Sequence, residues 1–151
     1  MFRTRLSDSL KDAMKAKDQS AVSTLRLILA ALKDRDIAAR TKGKADGIGD
    51  DEILDLLQKM VRQRQDSIEM YDKGGRQDLV DKEAAEIKVI ERFLPKQLNE
   101  VEISAAVSEV IDALEASSIK DMGRVMGELK QRYTGRMDFG RAGAMVKERL
   151  T

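Results

Sequence analysis

Apolar residues recur at three- and four-residue spacing through most of this chain and lose step at only a few places. Leu6, Leu10 and Met14, with Ala13 beside them, predict an amphipathic helix over 3–17. Asp18 or Ser20 can cap a second helix carrying Val22, Leu25, Ile28, Leu29 and Leu32. It is the most apolar stretch and is expected at the centre of an N-terminal module. The segment Thr41–Gly49 holds three glycines and no apolar period, which predicts a loop. Asp50 is expected to cap a third helix whose stripe is Ile53, Leu57, Met60 or Val61, Ile68 and Tyr71. Gly74-Gly75 should end it. A fourth helix runs from about Asp78 to Leu94 with Leu79, Ile87, Ile90, Phe93 and Leu94 inward. Two long helices joined by so short a turn predict an antiparallel hairpin.

Pro95 is the only proline. It disfavours helix in the residue before it, so the fourth helix should stop at Leu94. We read Pro95, Lys96 and Gln97 as an interdomain hinge, with domains at 1–94 and 95–151. Lys96 and Gln97 have no apolar duty and are expected to line the cleft between the modules. Beyond the hinge, Asn99 and Glu102 have capping-box spacing before Ile103, Val107, Val110, Ile111 and Leu114. Ser118 and Asp121 suggest another cap before Met122, Val125, Met126 and Leu129. Gly123 and Gly127 leave a smooth strip there, read as close approach by a neighbouring helix. Asp138 can cap a last helix with Ala142, Met145, Val146 and Leu150 inward. The expected fold is all-α: an N-terminal four-helix domain with a long helical hairpin, then a small three-helix C-terminal domain.

Composition narrows the chemistry. Hydrophobic residues make up 42% but aromatics only 3%, so the core is aliphatic, with Met filling in. Cysteine and histidine are both absent. That removes thiolate nucleophiles, disulfides, the commonest general base and the commonest transition-metal ligand. No cofactor and no metal are expected. The first residues show no apolar run like a signal peptide, and no segment approaches a membrane span, so a cytoplasmic location without membrane partners is expected.

Candidate catalytic groups are few. Glu83 and Glu86 stand three apart on the fourth helix, but Lys82 and Lys88 beside them favour a solvated charged face over a metal site. Ser118 near Lys120 has the elements of a Ser–Lys pair, yet Ser118 is better explained as a cap. No catalytic residue is assigned. Arg26 lies inside the most apolar helix; pointing inward it would need an acidic partner, and Glu86 is the candidate for a structural ion pair.

Charge placement is more informative. The net charge is +1, but residues 99–117 hold five acids and no base, while 118–151 hold eight bases against four acids. A polarised module of this kind can dock a phosphate backbone through its basic end. The candidate RNA-binding residues are Lys120, Arg124, Lys130, Arg132, Arg136, Arg141 and Lys147. Helix N-termini near Ser118 and Asp138 could add amide donors. A second basic cluster, Lys33, Arg35, Arg40, Lys42, Lys44, Lys59, Arg62 and Arg64, is diluted by acids and is read as salt-bridged surface.

Three segments carry a resemblance: Thr24-Leu25-Arg26-Leu27-Ile28-Leu29-Ala30-Ala31-Leu32-Lys33, Phe93-Leu94-Pro95-Lys96-Gln97-Leu98 and Ile119-Lys120-Asp121-Met122-Gly123-Arg124-Val125-Met126-Gly127. In their order and spacing the chain resembles the YqeY family over essentially its whole length. Gly135-Arg136-Met137-Asp138-Phe139-Gly140 departs from the family's Gly-Arg-Ala-Asp-Gly pattern, with Met137 and Phe139 replacing small residues. The resemblance implies a C-terminal domain similar to the tail of GatB, the subunit of the tRNA-dependent amidotransferase whose tail contacts tRNA. It therefore implies a non-catalytic, tRNA-associated module. The alternative is a protein-interaction module docking on an amidotransferase or similar assembly. A label of carbon–nitrogen ligase with glutamine as amido donor describes the relative; neither catalytic part of that enzyme is recognisable here.

Overall fold

The computed structural model describes all of Met1–Thr151 and is entirely helical, with no strand. Its helices are α1 (Phe2–Lys15), α2 (Gln19–Thr41), α3 (Asp50–Lys73), α4 (Gln77–Glu91), α5 (Glu100–Ala113), α6 (Met122–Arg132) and α7 (Phe139–Leu150), with a 3₁₀ turn at Ile119–Asp121 before α6. They group into two compact units, Met1–Leu94 and Pro95–Thr151.

In the first unit α2 touches α1, α3 and α4, and its apolar stripe fills the core with Leu6, Ile53, Leu57 and Ile90. The Asp18 carboxylate accepts from the Ala21 amide and starts α2. Helix α1 stops at Lys15, short of the expected end, because Lys17 takes a left-handed φ of 57°. Gly49, not Asp50, is the N-cap of α3, which places Asp50, Asp51 and Glu52 inside the first turn against the positive end of the helix dipole. Gly75, at φ 71°, follows the end of α3, and α3 and α4 pack along each other as a hairpin.

The second unit is built on Val107, Val110, Val125, Leu129, Met137 and Val146, all fully buried. Asn99 and Glu102 form the capping box of α5, each side chain accepting from the other's amide. Met137 has a packing role: its side chain is fully buried in this core. The expected close helix approach at Gly123 and Gly127 is not there. Both glycines are exposed, and a Cβ on either would meet nothing within 4 Å. The glycine that faces α6 is the buried Gly143 of α7, and a Cβ there would make ordinary van der Waals contact, at 3.7–3.8 Å, with the Met126 and Met122 methyl groups. Glycine spacing alone cannot tell which side of a helix is covered.

Candidate functional site

The core-facing side of α6 carries Val125 and Leu129, so the helical period turns Gly123, Gly127 and Lys130 outward together. Arg124 flanks them, and Lys120 precedes them on the 3₁₀ turn. The result is a basic face with a bare backbone floor. A ligand can come nearer to a helix there than side chains normally allow, because nothing projects from the two glycines.

The structure sorts the seven predicted bases into two groups. The arginines are engaged. Arg124 donates to Asp121 at 3.0 Å and Arg132 to Glu128 at 2.8 Å; Arg141 lies 3.9 Å from the Asp138 carboxylate. Arg136 reaches the Lys96 carbonyl at 3.5 Å. Lys120, Lys130 and Lys147 are exposed, and their ammonium groups make no ion pair. Lys147 is one turn along α7 from Gly143, on the side of that helix that meets α6. No carboxylate competes for these three ammonium groups.

The two helix N-termini do not offer amides as expected. The Asp138 carboxylate accepts from the Gly140 and Arg141 amides at 2.8 and 3.4 Å. The Asp121 carboxylate accepts from Ser117 and Ser118 at 3.0 and 3.4 Å. The Ser117 amide, and then Arg124, hold the Asp121 carboxyl below the usual carboxylate range. An incoming phosphate would face a resident carboxylate at each end.

The residues expected to form a hinge have local partners. The Gln97 amide donates to the Pro95 and Gly135 carbonyls at 2.8 and 2.6 Å, and the Leu98 amide donates to the Arg136 carbonyl at 2.8 Å. Segment 95–98 is thus stitched to the turn before α7 within its own unit.

The buried charges of the first unit are committed to structure. The proposed Arg26–Glu86 pair does not form. Arg26 is exposed on α2, because the apolar stripe on either side of it takes the inward face. Glu86 instead accepts from Arg64 of α3 at 3.0 Å, with the two side chains only 10% and 13% exposed, and Arg64 also donates to the Met60 carbonyl. Burial, and then the neighbouring Glu86 charge, push the Glu83 carboxyl up. A second cluster was not legible in the sequence. Arg3 of α1 donates to Asp36 of α2 at 2.7 and 3.1 Å and to the Ile48 carbonyl at 2.9 Å, and the Ile48 amide donates to Asp36 at 2.9 Å. Gly47 packs against the Asp36 carboxylate with φ 82°. One buried carboxylate thereby pins the glycine loop to the first two helices. The Arg3 hydrogen bond is the main reason that Asp36 sits below the usual carboxylate range. The other bases near the loop form surface pairs: Lys44 with Glu52, and Arg35 and Lys59 with Asp55.

No three acidic side chains come close enough to share a metal ion, and no helix is long and apolar enough to cross a membrane. A family model described as "Yqey-like protein" matches residues 3–150. Among curated proteins, "Altered inheritance of mitochondria protein 41, mitochondrial" of Lachancea thermotolerans is 36% identical over 115 residues, covering 75% of this chain and 59% of the relative. Its namesake in Kluyveromyces lactis is also 36% identical, over 74% of this chain and 60% of the relative. That of Saccharomyces cerevisiae is 32% identical over 129 residues, covering 82% and 68%. The chain spans about three fifths of the length of the first two. On the match across residues 3–150, the chain belongs to the Yqey-like protein family.

Proposed function

We propose that this chain is a non-catalytic accessory module that holds the phosphate backbone of a structured RNA, with tRNA the first candidate. The observation that carries the reading is the outward face of α6, where Gly123 and Gly127 leave open space between Lys120, Arg124 and Lys130. The uncommitted Lys120 and Lys130 ammonium groups around a flat floor suit a phosphate backbone, which is bound by charge and shape rather than by base edges. The resemblance of the quoted sequence segments to the YqeY family, which implies a GatB-like tail, is what favours tRNA in particular. The reading asks only for a compartment that holds tRNA. The cytoplasm meets this, and so does the mitochondrion stated in the yeast relatives' names.

The test is binding of unmodified tRNA to the purified full chain at low ionic strength, with a Lys120→Ala/Lys130→Ala/Lys147→Ala variant in parallel. The expected result is wild-type binding that the variant weakens by about tenfold or more. No wild-type binding at low salt overturns the reading.

A further inference from the structure

The family-like segment of α2 has a face that the core does not use. Leu27 and Ile37 are 47% and 48% exposed, and Ala30, Asp34 and Ala38 stand exposed between and beside them. Along one edge of this strip run Arg26, Lys33 and Arg40, at seven-residue spacing and all exposed. Seven residues are two helical turns, so the three cations form a row with steps of about 10.5 Å. Neither Arg26 nor Lys33 joins an ion pair.

The matching surface is on α5. Val101 is 78% exposed and continues through Ala105 and Ser108 to Asp112 on one side of that helix. Glu102 and Glu109 edge this strip, again seven residues apart; Glu102 also accepts from the Asn99 amide, and Glu109, whose side chain is 68% exposed, lies 3.9 Å from Arg132. On its other edge a shallow groove of about 500 Å³ opens toward α7, lined by Glu100, Val101, Ser104, Ala105, Ser108 and Met145. Arg149 donates to the Ser104 and Ser108 hydroxyls, so those polar groups are engaged.

We infer that the α2 face docks on the α5 face of a second copy of this chain. Leu27 and Ile37 supply apolar knobs for the strip and groove at Val101, Ala105 and Met145. The Arg26–Lys33–Arg40 row meets the Glu102–Glu109 edge at the same period. Each copy carries both faces, so the contact forms a closed dimer if the rotation between copies is twofold and a longer chain if it is not. Both give association that rises with concentration and falls with salt, because exposed charge pairs are screened.

The experiment is sedimentation velocity on the nuclease-treated full chain, from micromolar to near-millimolar concentration, at low and high salt. Wild type should show a mass that grows with concentration at low salt. Arg26→Glu/Lys33→Glu alone and Glu109→Lys alone should each associate at least about tenfold more weakly. An equimolar mixture of the two should recover association, because each reversed face then meets an opposite charge. Leu27→Asp should lose association at any salt. All these positions are exposed, and circular dichroism is the check that each variant folds. A wild type that stays monomeric throughout overturns the inference, as do variants that associate like wild type or a mixture that recovers nothing.

Discussion

The two units of this molecule use charge in opposite ways. In Met1–Leu94, two carboxylates are buried, Asp36 and Glu86, and each is held by an arginine from another helix. In Pro95–Thr151 the core contains only apolar side chains, and every Lys, Arg, Asp and Glu lies at least partly at the surface. A buried pair fixes helix register and has nothing left for a partner. An exposed, unpaired lysine adds little to stability and remains available. The buried charges of the first unit are therefore expected to act on stability, and the exposed, unpaired lysines of the second on binding.

The strongest test of that contrast is Arg64→Leu. It leaves Glu86 buried without a partner and should destabilise the protein by about 3 kcal/mol in denaturant unfolding. Adding Glu86→Leu should restore most of the loss, since the stranded charge is then gone. A single-variant loss below about 1 kcal/mol would place the pair among surface bridges.

Gly47→Ala comes next. It forces a side chain into positive φ and into the Asp36 carboxylate, and should cost about 2 kcal/mol. Gly43 has a similar φ of 90° with open space around it, so Gly43→Ala should cost only the backbone term, about 1 kcal/mol. Equal losses would mean that the loop does not press on Asp36.

The Asp36 latch also predicts a pH dependence. Its folded pKa lies below the ordinary carboxylate value. Its contribution is therefore fully present above that ordinary value, near 4, and is lost as pH falls through the folded pKa. Arg3 is 42% exposed, so solvent screening limits the effect to about 1 kcal/mol. Asp36→Asn should be less stable than wild type at neutral pH and lose this acid-dependent component.

The smallest effect is expected at Glu83, whose folded pKa is raised. Its neutral form is favoured, so stability is present below the ordinary Glu value and is lost as pH rises through the folded pKa. Glu83→Gln should add about 0.3 kcal/mol at neutral pH, and the gain should vanish in acid. A destabilised variant at neutral pH would show that the Glu83 charge is wanted.

Much of the helical order was legible because it rests on local rules. The Asp18 cap, the Asn99–Glu102 box and the Asp138 cap each involve groups within three residues of one another. Contacts between helices were not legible to the same degree. Glu86 took Arg64 rather than Arg26, because which residue of a charged helix turns inward depends on the neighbour's packing. The Arg3–Asp36–Ile48 latch joins residues 33 and 45 positions apart, and nothing in the local sequence marks it. The basic character of the C-terminal end was legible as composition. Which bases stay uncommitted was not, since the four candidate arginines found acceptors nearby and the three candidate lysines did not.

The most direct test of the central proposal is the salt dependence of tRNA binding, measured as log K against log salt for wild type and for Lys120→Ala/Lys130→Ala/Lys147→Ala. If these lysines meet phosphates, the wild-type slope is steep and the variant's is shallower by about one unit per lysine removed. Equal slopes, or no binding at the lowest salt, would contradict it.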